Sequence, residues 1–328
     1  MRYVVGLENA ACFDRRQALA LGAFDGVHRG HLQLLQVTEA AARELDAETT
    51  VLTFEPTPVE AFGRLGRKDV RLTLPEERRA LIEAAGVDNL VVANFDKALQ
   101  STEPEDFARD ILAQRLCAAA VVASETHSFG RGGSGNIRTL MHLGCDLGFE
   151  VRVLPLLSTD RNPLSSTRIR ELLWDGQIEE ANDLLGRLYS GSGEVVTGDG
   201  RGRTLGFPTA NVAVPMPKLV PGPGVYAGWA GVEGSGESWR AAIVIGPSPT
   251  FENDTDVRRV EVHLPDREVD LLGQRLSFAF VRRIRPQQRF AGEAELRAAI
   301  AEDVAQVRAM AAAELSFSPF VSLTSDGA

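Results

Sequence analysis

Five short runs rich in apolar and β-branched residues, interleaved with stretches of helical spacing, dominate residues 1 to about 185. The runs are "ALALG" (18–22), "TTVLTF" (49–54), "NLVVANF" (89–95), "AAVVAS" (119–124) and "EVRVLP" (150–155). Helical patterns lie between them, at 76–85, 104–116 and 138–148 among others. After the first run Leu34, Val37, Ala41 and Leu45 follow +3, +4, +4 spacing, which puts them on one helix face. A strand that is apolar throughout must be covered on both faces, and the intervening helices supply that cover. The pattern therefore predicts an α/β domain with a parallel, doubly wound sheet, whose ligand binds beyond the carboxyl ends of the strands.

Past residue 190 the rhythm changes. Glycine and proline crowd "GSGEVVTGDGRGRTLGFP" and "VPMPKLVPGPGVYAG", and short strand candidates follow at 224–231, 239–245, 258–264 and 275–284. Dense turn signals between short strands predict an antiparallel all-β barrel or sandwich. A helical pattern at 293–313 closes this half, and "SFSPFVSLTSDGA" reads as an irregular tail. The boundary is expected near 186–190. That gives domains at 1–187 and 188–315, with a tail at 316–328.

A chain of 328 residues with 44% apolar side chains has ample material for two cores. Its net charge of −10 speaks against a phosphate-backbone binder and hence against a nucleic-acid partner. No apolar stretch reaches about 18 residues and no export signal is evident, so a cytoplasmic protein with no membrane partner is expected. Cys12, Cys117 and Cys145 are widely spaced, which speaks against a zinc site or a disulfide framework. Homo-oligomers are compatible with the composition.

The first candidate site is "LALGAFDGVHRGHLQLLQ" (19–36), where a strand gives way to a helix. A glycine-containing turn there exposes backbone N–H groups at the positive end of a helix dipole, which suits phosphate. His28 and His31 stand at i and i+3 around Gly30, so they project to the same side. They can donate hydrogen bonds to a phosphoryl group that gains charge in a transition state. Asp25 can orient an imidazole or help place a metal. Alone, the spacing also fits two ordinary surface or core histidines. His-x-Gly-His at a first strand's end is shared by α-phosphate nucleotidyltransferases and class I aminoacyl-tRNA synthetases, so it leaves the substrate open.

"NPLSSTRIRELL" (162–173) follows the fifth run. Ser165, Ser166 and Thr167 favour a helix N-terminus, and Arg168 adds a planar charge suited to phosphate oxygens. A plain serine cap with a surface arginine reads equally well, until it is set beside the histidine motif as a second wall of one nucleotide site.

In the second half, "GRTLGFPTAN" (202–211) has glycines at Gly202 and Gly206 that permit close backbone approach. Thr209 and Asn211 lie two apart on a strand and offer hard oxygen ligands for the Mg²⁺ that ATP carries. The alternative is a glycine-rich hairpin with solvated polar groups. "RRVEVHL" (258–264) alternates, with Glu261 and His263 opposite Val260, Val262 and Leu264. That is either a half-solvated strand or a carboxylate placed to take a proton from a hydroxyl. No G-x-x-x-x-G-K-[S/T] occurs, so phosphoryl transfer would depend on the glycine-rich loop, Mg²⁺ and Arg201 or Arg203.

Together "LGAFDGVHRGHLQLL", "NPLSSTRIRELL", "GRTLGFPTANV", "PGPGVYAG", "PSPTF", "VEVHL" and "IRPQQRF", in that order, resemble the bacterial bifunctional riboflavin kinase/FMN adenylyltransferase (FAD synthetase) family over residues 15–310. The resemblance implies a Rossmann-like nucleotidyltransferase domain followed by a riboflavin-kinase β-barrel with a closing helix. Riboflavin, FMN and ATP would be the substrates, and Mg²⁺ would accompany ATP. It implies that Glu261 is the base acting on the ribityl hydroxyl, with Thr209 and Asn211 at the metal. Gly202, Arg203, Gly206 and Pro208 would meet ATP. In the first half Gly22, Phe24, Asp25, Gly30, Ser165, Ser166 and Thr167 would meet ATP, with His28, His31 and Arg168 catalytic. Glu125, Thr126, Arg285 and Phe290 would contact flavin.

The chain departs from the family pattern at "FEPTP" (54–58), with Glu55 for an aspartate and Thr57 for a histidine. In "SETHSFG" (124–130) Thr126 replaces a polar group and His127 an aromatic one, and Leu272 stands for a tyrosine. These changes predict a roughly tenfold to thousandfold slower adenylylation if the missing histidine acts electrostatically. They keep open a riboflavin kinase with an impaired adenylyltransferase half. A flavin carrier without turnover is a third reading, against which Glu261 argues.

Overall fold

The computed structural model describes residues 1–10, 13, 15–62, 70–159, 162–198, 200–246 and 257–310. The chain divides into two compact units, Met1–Asp69 with Arg78–Ser165, and Val70–Glu77 with Ser166–Ala328. The "PSPTF" motif, Cys12, the side chain of Arg201 and the tail at 316–328 lie outside the described residues.

The first unit runs β1 (Arg2–Val5), β2 (Gln17–Leu21), α1 (Arg29–Glu44), β3 (Glu48–Glu55), α2 (Pro58–Ala61) and α3 (Pro75–Ala84), whose first residues belong to the second unit. Then come β4 (Asn89–Asn94), α4 (Lys97–Gln100), α5 (Pro104–Asp106), a π-helical segment Phe107–Arg115, β5 (Ala118–Ser124), β6 (Ser128–Phe129), β7 (Gly135–Asn136) and α6 (Ile137–Leu147). Strand β8 (Glu150–Leu154) and the short pair β9 (Ser158–Thr159) and β10 (Asn162–Pro163) complete it.

The main sheet is parallel, in the order β1-β4-β3-β2-β5-β8. All five expected strands form. Alternate residues of one strand feed opposite cores: Leu19 and Leu21 enter one cluster with Val121 and Ala123, and Ala20 enters the other with Val122. Two-sided burial is what the apolar runs required. Strand β1 was not expected, because an edge strand needs no apolar run, and Tyr3 and Val5 stay 41% and 48% exposed. The chain moves from β2 to β3 and β4 on one side, then to β5 and β8 on the other. The order reverses between β2 and β5, where doubly wound sheets open a crevice.

The second unit begins with α7 (Ser166–Asp175) and α8 (Ile178–Leu185). It continues through β11 (Tyr189–Val196), α9 (Arg201–Thr204), β12 (Thr209–Pro215), β13 (Gly224–Val232), β14 (Trp239–Ile245), β15 (Val257–His263), β16 (Arg275–Pro286) and α10 (Glu293–Arg308). The strands close into an antiparallel barrel in the order β11-β12-β15-β14-β13-β16. Strand β11 escaped the sequence reading because "YSGSGEVV" has little β propensity. Its glycine is needed for approach: a Cβ on Gly193 would sit 2.1 Å from the Ala213 carbonyl oxygen. Val307 and Met310 pack α10's end against Ala227, Trp229, Ala242 and Ala279, and Arg285 of β16 pairs with buried Asp303 of α10. The expected helix at 293–313 ends at Arg308, with 311–313 outside the described residues.

Lys218 is 3% exposed, and its ammonium donates to Glu77 at 2.7 Å and to the Leu72 carbonyl at 2.8 Å. Its Nζ lies 4.7 Å from the Tyr189 ring centroid. A buried ammonium stands only when paired and hydrogen-bonded, and these contacts fasten the 70–77 segment within this unit. Cys117 is disulfide-bonded, which corrects the expectation drawn from cysteine spacing, and Cys145 is a free, exposed thiol. Separation along a chain does not measure the Cα distance a disulfide needs. Among the described residues no helix is long and apolar enough to cross a membrane.

Candidate functional site

At the β2–α1 junction His28 is the N-cap of α1, and its Nδ1 accepts the His31 backbone N–H at 3.3 Å. With Nδ1 accepting this N–H, a neutral His28 ring carries its proton on Nε2. The two imidazoles stack at 3.7 Å between centroids, inclined by 14°, with Phe24 4.9 Å from His31. The i, i+3 spacing thus puts both rings on one side of the helix start. The motif's glycines make room for rings. A Cβ on Gly30 would meet the His28 ring at 3.2 Å, and one on Gly22 would meet Phe24 at 3.2 Å. Asp25 and His28 are buried, at 5% and 6% exposure. Phe24 (φ 52°) and Val27 (φ 38°) occupy left-handed backbone, which costs on the order of 1–3 kcal/mol each. The loop is a built one.

The neighbouring strands end at the same edge of the sheet. After β5, Glu125 accepts the Leu156 N–H at 2.8 Å and the Thr126 hydroxyl lies 3.4 Å from that of Ser124. Burial pushes the His127 imidazole down to about 4, so this ring is neutral at ordinary pH. After β3, Thr57 is the N-cap of α2: its hydroxyl and backbone N–H both reach the Glu60 carboxylate at 2.8 Å. The residue standing where the family has a histidine is therefore engaged in a capping box. Glu55 pairs with Arg78 at 3.0 Å.

Ser165 belongs to the sheet unit, and its neighbour Leu164 lies 3.5 Å from a Cβ built on Gly30, which returns the chain to the start of α1. Ser166, Thr167 and Arg168 open α7, as the serine-threonine run predicted, and belong to the barrel unit. Arg168 donates to Glu180 of α8 at 3.0 Å.

On the barrel, β12 and β15 pair antiparallel with Asn211 opposite Glu261 and Thr209 opposite His263. Val212, Val260 and Val262 of the same strands are buried, so the four polar residues share the other face. Gly202 and Gly198 bring a loop onto them. A Cβ on Gly202 would meet the Thr209 hydroxyl at 3.2 Å and the Phe207 carbonyl at 2.4 Å, and one on Gly198 would overlap the Asn211 amide at 2.0 Å. The Phe207 N–H closes this loop on the Gly202 carbonyl at 2.8 Å, and Gly206 turns it at φ 87°. Arg203 and Pro208 are exposed on the loop. Two hard oxygens under a glycine cradle, with a carboxylate directly across, fit a Mg²⁺ carried by a nucleotide.

His263 was read from sequence as lying on a solvated face. It is instead 9% exposed and donates from Nδ1 to the Pro208 carbonyl at 2.8 Å, with Phe207 edge-on at 5.7 Å. Burial pushes its pKa below the usual range, against the pull of that carbonyl. Gly206, Phe207, Pro208, His263, Val304 and Arg308 line a cavity of about 520 Å³. Arg285 lies with its guanidinium 5.4 Å from the Phe290 ring centroid, and its donors bridge Asp303.

The family model described as FAD synthetase matches residues 11–168, and that of riboflavin kinase matches 185–311. A bifunctional riboflavin kinase/FMN adenylyltransferase from Escherichia coli K12 is 35% identical over 306 residues, covering 92% of this chain and 96% of its own. Its namesake from Bacillus subtilis 168 is 34% identical, covering 88% and 90%. A crystal structure described as a macrolide-efflux protein from Streptococcus pneumoniae aligns over 95% of this chain and all of its own, at 27% identity and a TM-score of 0.86. With both family models in order and relatives matched over nearly their whole length, the chain belongs to the bacterial bifunctional riboflavin kinase/FMN adenylyltransferase family.

Proposed function

We propose that the family's two reactions are divided between the two units. FMN is adenylylated at the β2–α1 junction, and riboflavin is phosphorylated on the polar face of β12 and β15. The supporting observation is the pairing of Asn211 with Glu261 beside Thr209 in one unit, while His28 and His31 stack in the other.

In the kinase step Glu261 takes the proton of the ribityl 5′-hydroxyl as that oxygen attacks the γ-phosphorus of ATP, and ADP departs. Thr209 and Asn211 hold the Mg²⁺ that arrives with ATP, whose charge offsets that of the phosphates. The loop of Gly202, Arg203, Gly206 and Pro208 covers the nucleotide, and Arg285 and Phe290 border the flavin. In the second step a phosphate oxygen of FMN attacks the α-phosphorus of a second ATP and pyrophosphate leaves. His28 and His31 donate to the phosphoryl oxygens as charge builds. Gly22, Phe24, Asp25, Gly30 and Ser165 shape the phosphate pocket, with Glu125 and Thr126 at the flavin. The enzyme works in the cytoplasm on small molecules, without a nucleic-acid or membrane partner, and homo-oligomers are compatible with this scheme.

Chromatography of products from riboflavin and from FMN, each with Mg·ATP, tests the reading. FMN followed by FAD and pyrophosphate is expected. Thr57's use as a helix cap favours a second reading, a kinase with impaired adenylylation. That reading predicts FMN accumulation from riboflavin and no FAD from added FMN.

A further inference from the structure

We infer that Arg78 is a positioning residue for adenylyl transfer, holding the β2–α1 loop in the shape that presents His28 and His31. The inference rests on the assignment of FMN adenylylation to that loop. Arg78 lies in α3 and is 5% exposed. One guanidinium nitrogen donates to the Ala23 carbonyl at 3.0 Å. Another donates to the Glu55 carboxylate at 3.0 Å and to the Phe54 carbonyl at 3.4 Å. Ala23 opens the loop after β2, and Phe54 and Glu55 end β3, its neighbour in the sheet. One planar side chain therefore ties together two loops at the carboxyl edge where the nucleotide is expected.

The loop needs such a tie. Phe24 directly after Ala23, and Val27 three residues beyond it, are non-glycine residues in left-handed backbone, and Val27 is β-branched. Conformations of this kind persist only where neighbours over-determine them. The Ala23 carbonyl takes a second side-chain donor, the Thr53 hydroxyl at 3.1 Å, so the entrance to the strained stretch is held from β3 and from α3 together. The Ala23 and Phe54 acceptors of Arg78 are main-chain oxygens, and Glu55 balances its charge. Its part is geometric. Sequence reading passed over it, because "PEERRALIE" shows only a charged helix face.

The test uses Arg78→Met and Arg78→Lys in the full chain, with His31→Ala beside them. FMN adenylylation is measured as kcat and as KM for ATP, riboflavin phosphorylation on the same protein is the control in the other unit, and hydrogen exchange at the amides of β2, β3 and β5 reports folding of the sheet unit. Arg78→Met should lower the adenylylation kcat roughly tenfold to hundredfold, the scale of a misplaced reacting group. KM for ATP should change far less, because the histidines act on the transition state. Riboflavin phosphorylation should not change, and Arg78→Lys should fall between the variant and the parent, since an ammonium reaches fewer acceptors. A parental kcat in Arg78→Met, a loss confined to KM, or an equal loss of both activities overturns the inference. If Arg78→Met does not fold, Arg78→Lys decides: a lowered kcat with intact phosphorylation supports the role and a parental kcat overturns it. If His31→Ala still makes FAD at the parental rate, the assignment of the reaction to this loop fails instead.

Discussion

His28 has its Nδ1 at the start of α1, where it receives the His31 N–H. Replacing His31 by alanine removes one of two stacked donors and should lower FMN adenylylation about a hundredfold to a thousandfold, measured as FAD formed from FMN, with riboflavin phosphorylation kept. Glu261→Gln should reverse the pattern, abolishing FMN formation while FMN supplied directly still becomes FAD. His127 carries a pH prediction. Its imidazole titrates near 4 in the fold and near 6.5 unfolded, so above about pH 6.5 both forms are neutral and no stability depends on it. As pH falls through this window the unfolded chain takes up the proton first and stability is lost. The loss should approach about 2 kcal/mol between pH 7 and pH 5, read from denaturant midpoints, and His127→Asn should flatten the dependence.

The α1 helix separates stability from activity at Gly30. Alanine there is a better helix former by at most about 1 kcal/mol, yet its Cβ would press on the His28 ring at 3.2 Å. Gly30→Ala should therefore melt no lower than the parent and lose FAD synthesis, and a variant that keeps full activity would show that the ring can move aside. In the barrel unit, Lys218→Met leaves Glu77 without its ammonium and should cost about 3 kcal/mol in denaturant melts. Glu77→Gln added to it should recover part of that loss. Helices and buried strands were legible in the sequence because their periods of 3.6 and 2 follow from local geometry. Edge strand β1 and glycine-bearing β11 were not, since burial did not pattern the first and close backbone approach shaped the second.

For the whole molecule, two reactions in two units imply that crippled chains can complement each other. A mixture of the His31→Ala and Glu261→Gln proteins should convert riboflavin to FAD through released FMN, although neither does so alone. No FAD from the mixture, with each single activity intact, would mean that FMN does not pass through solvent. The sequence by itself determined the two-part architecture, the parallel sheet followed by a barrel, and the motifs that bear the chemistry, because alternating periods, turn residues and short motifs are local properties of the chain. Only the tertiary structure decided that His263 anchors the Pro208 carbonyl, that Asn211 faces Glu261, and that Arg78 fastens the strained β2–α1 loop. Those relations join residues on different elements, and strand register and packing, which no local pattern encodes, determine which of them meet.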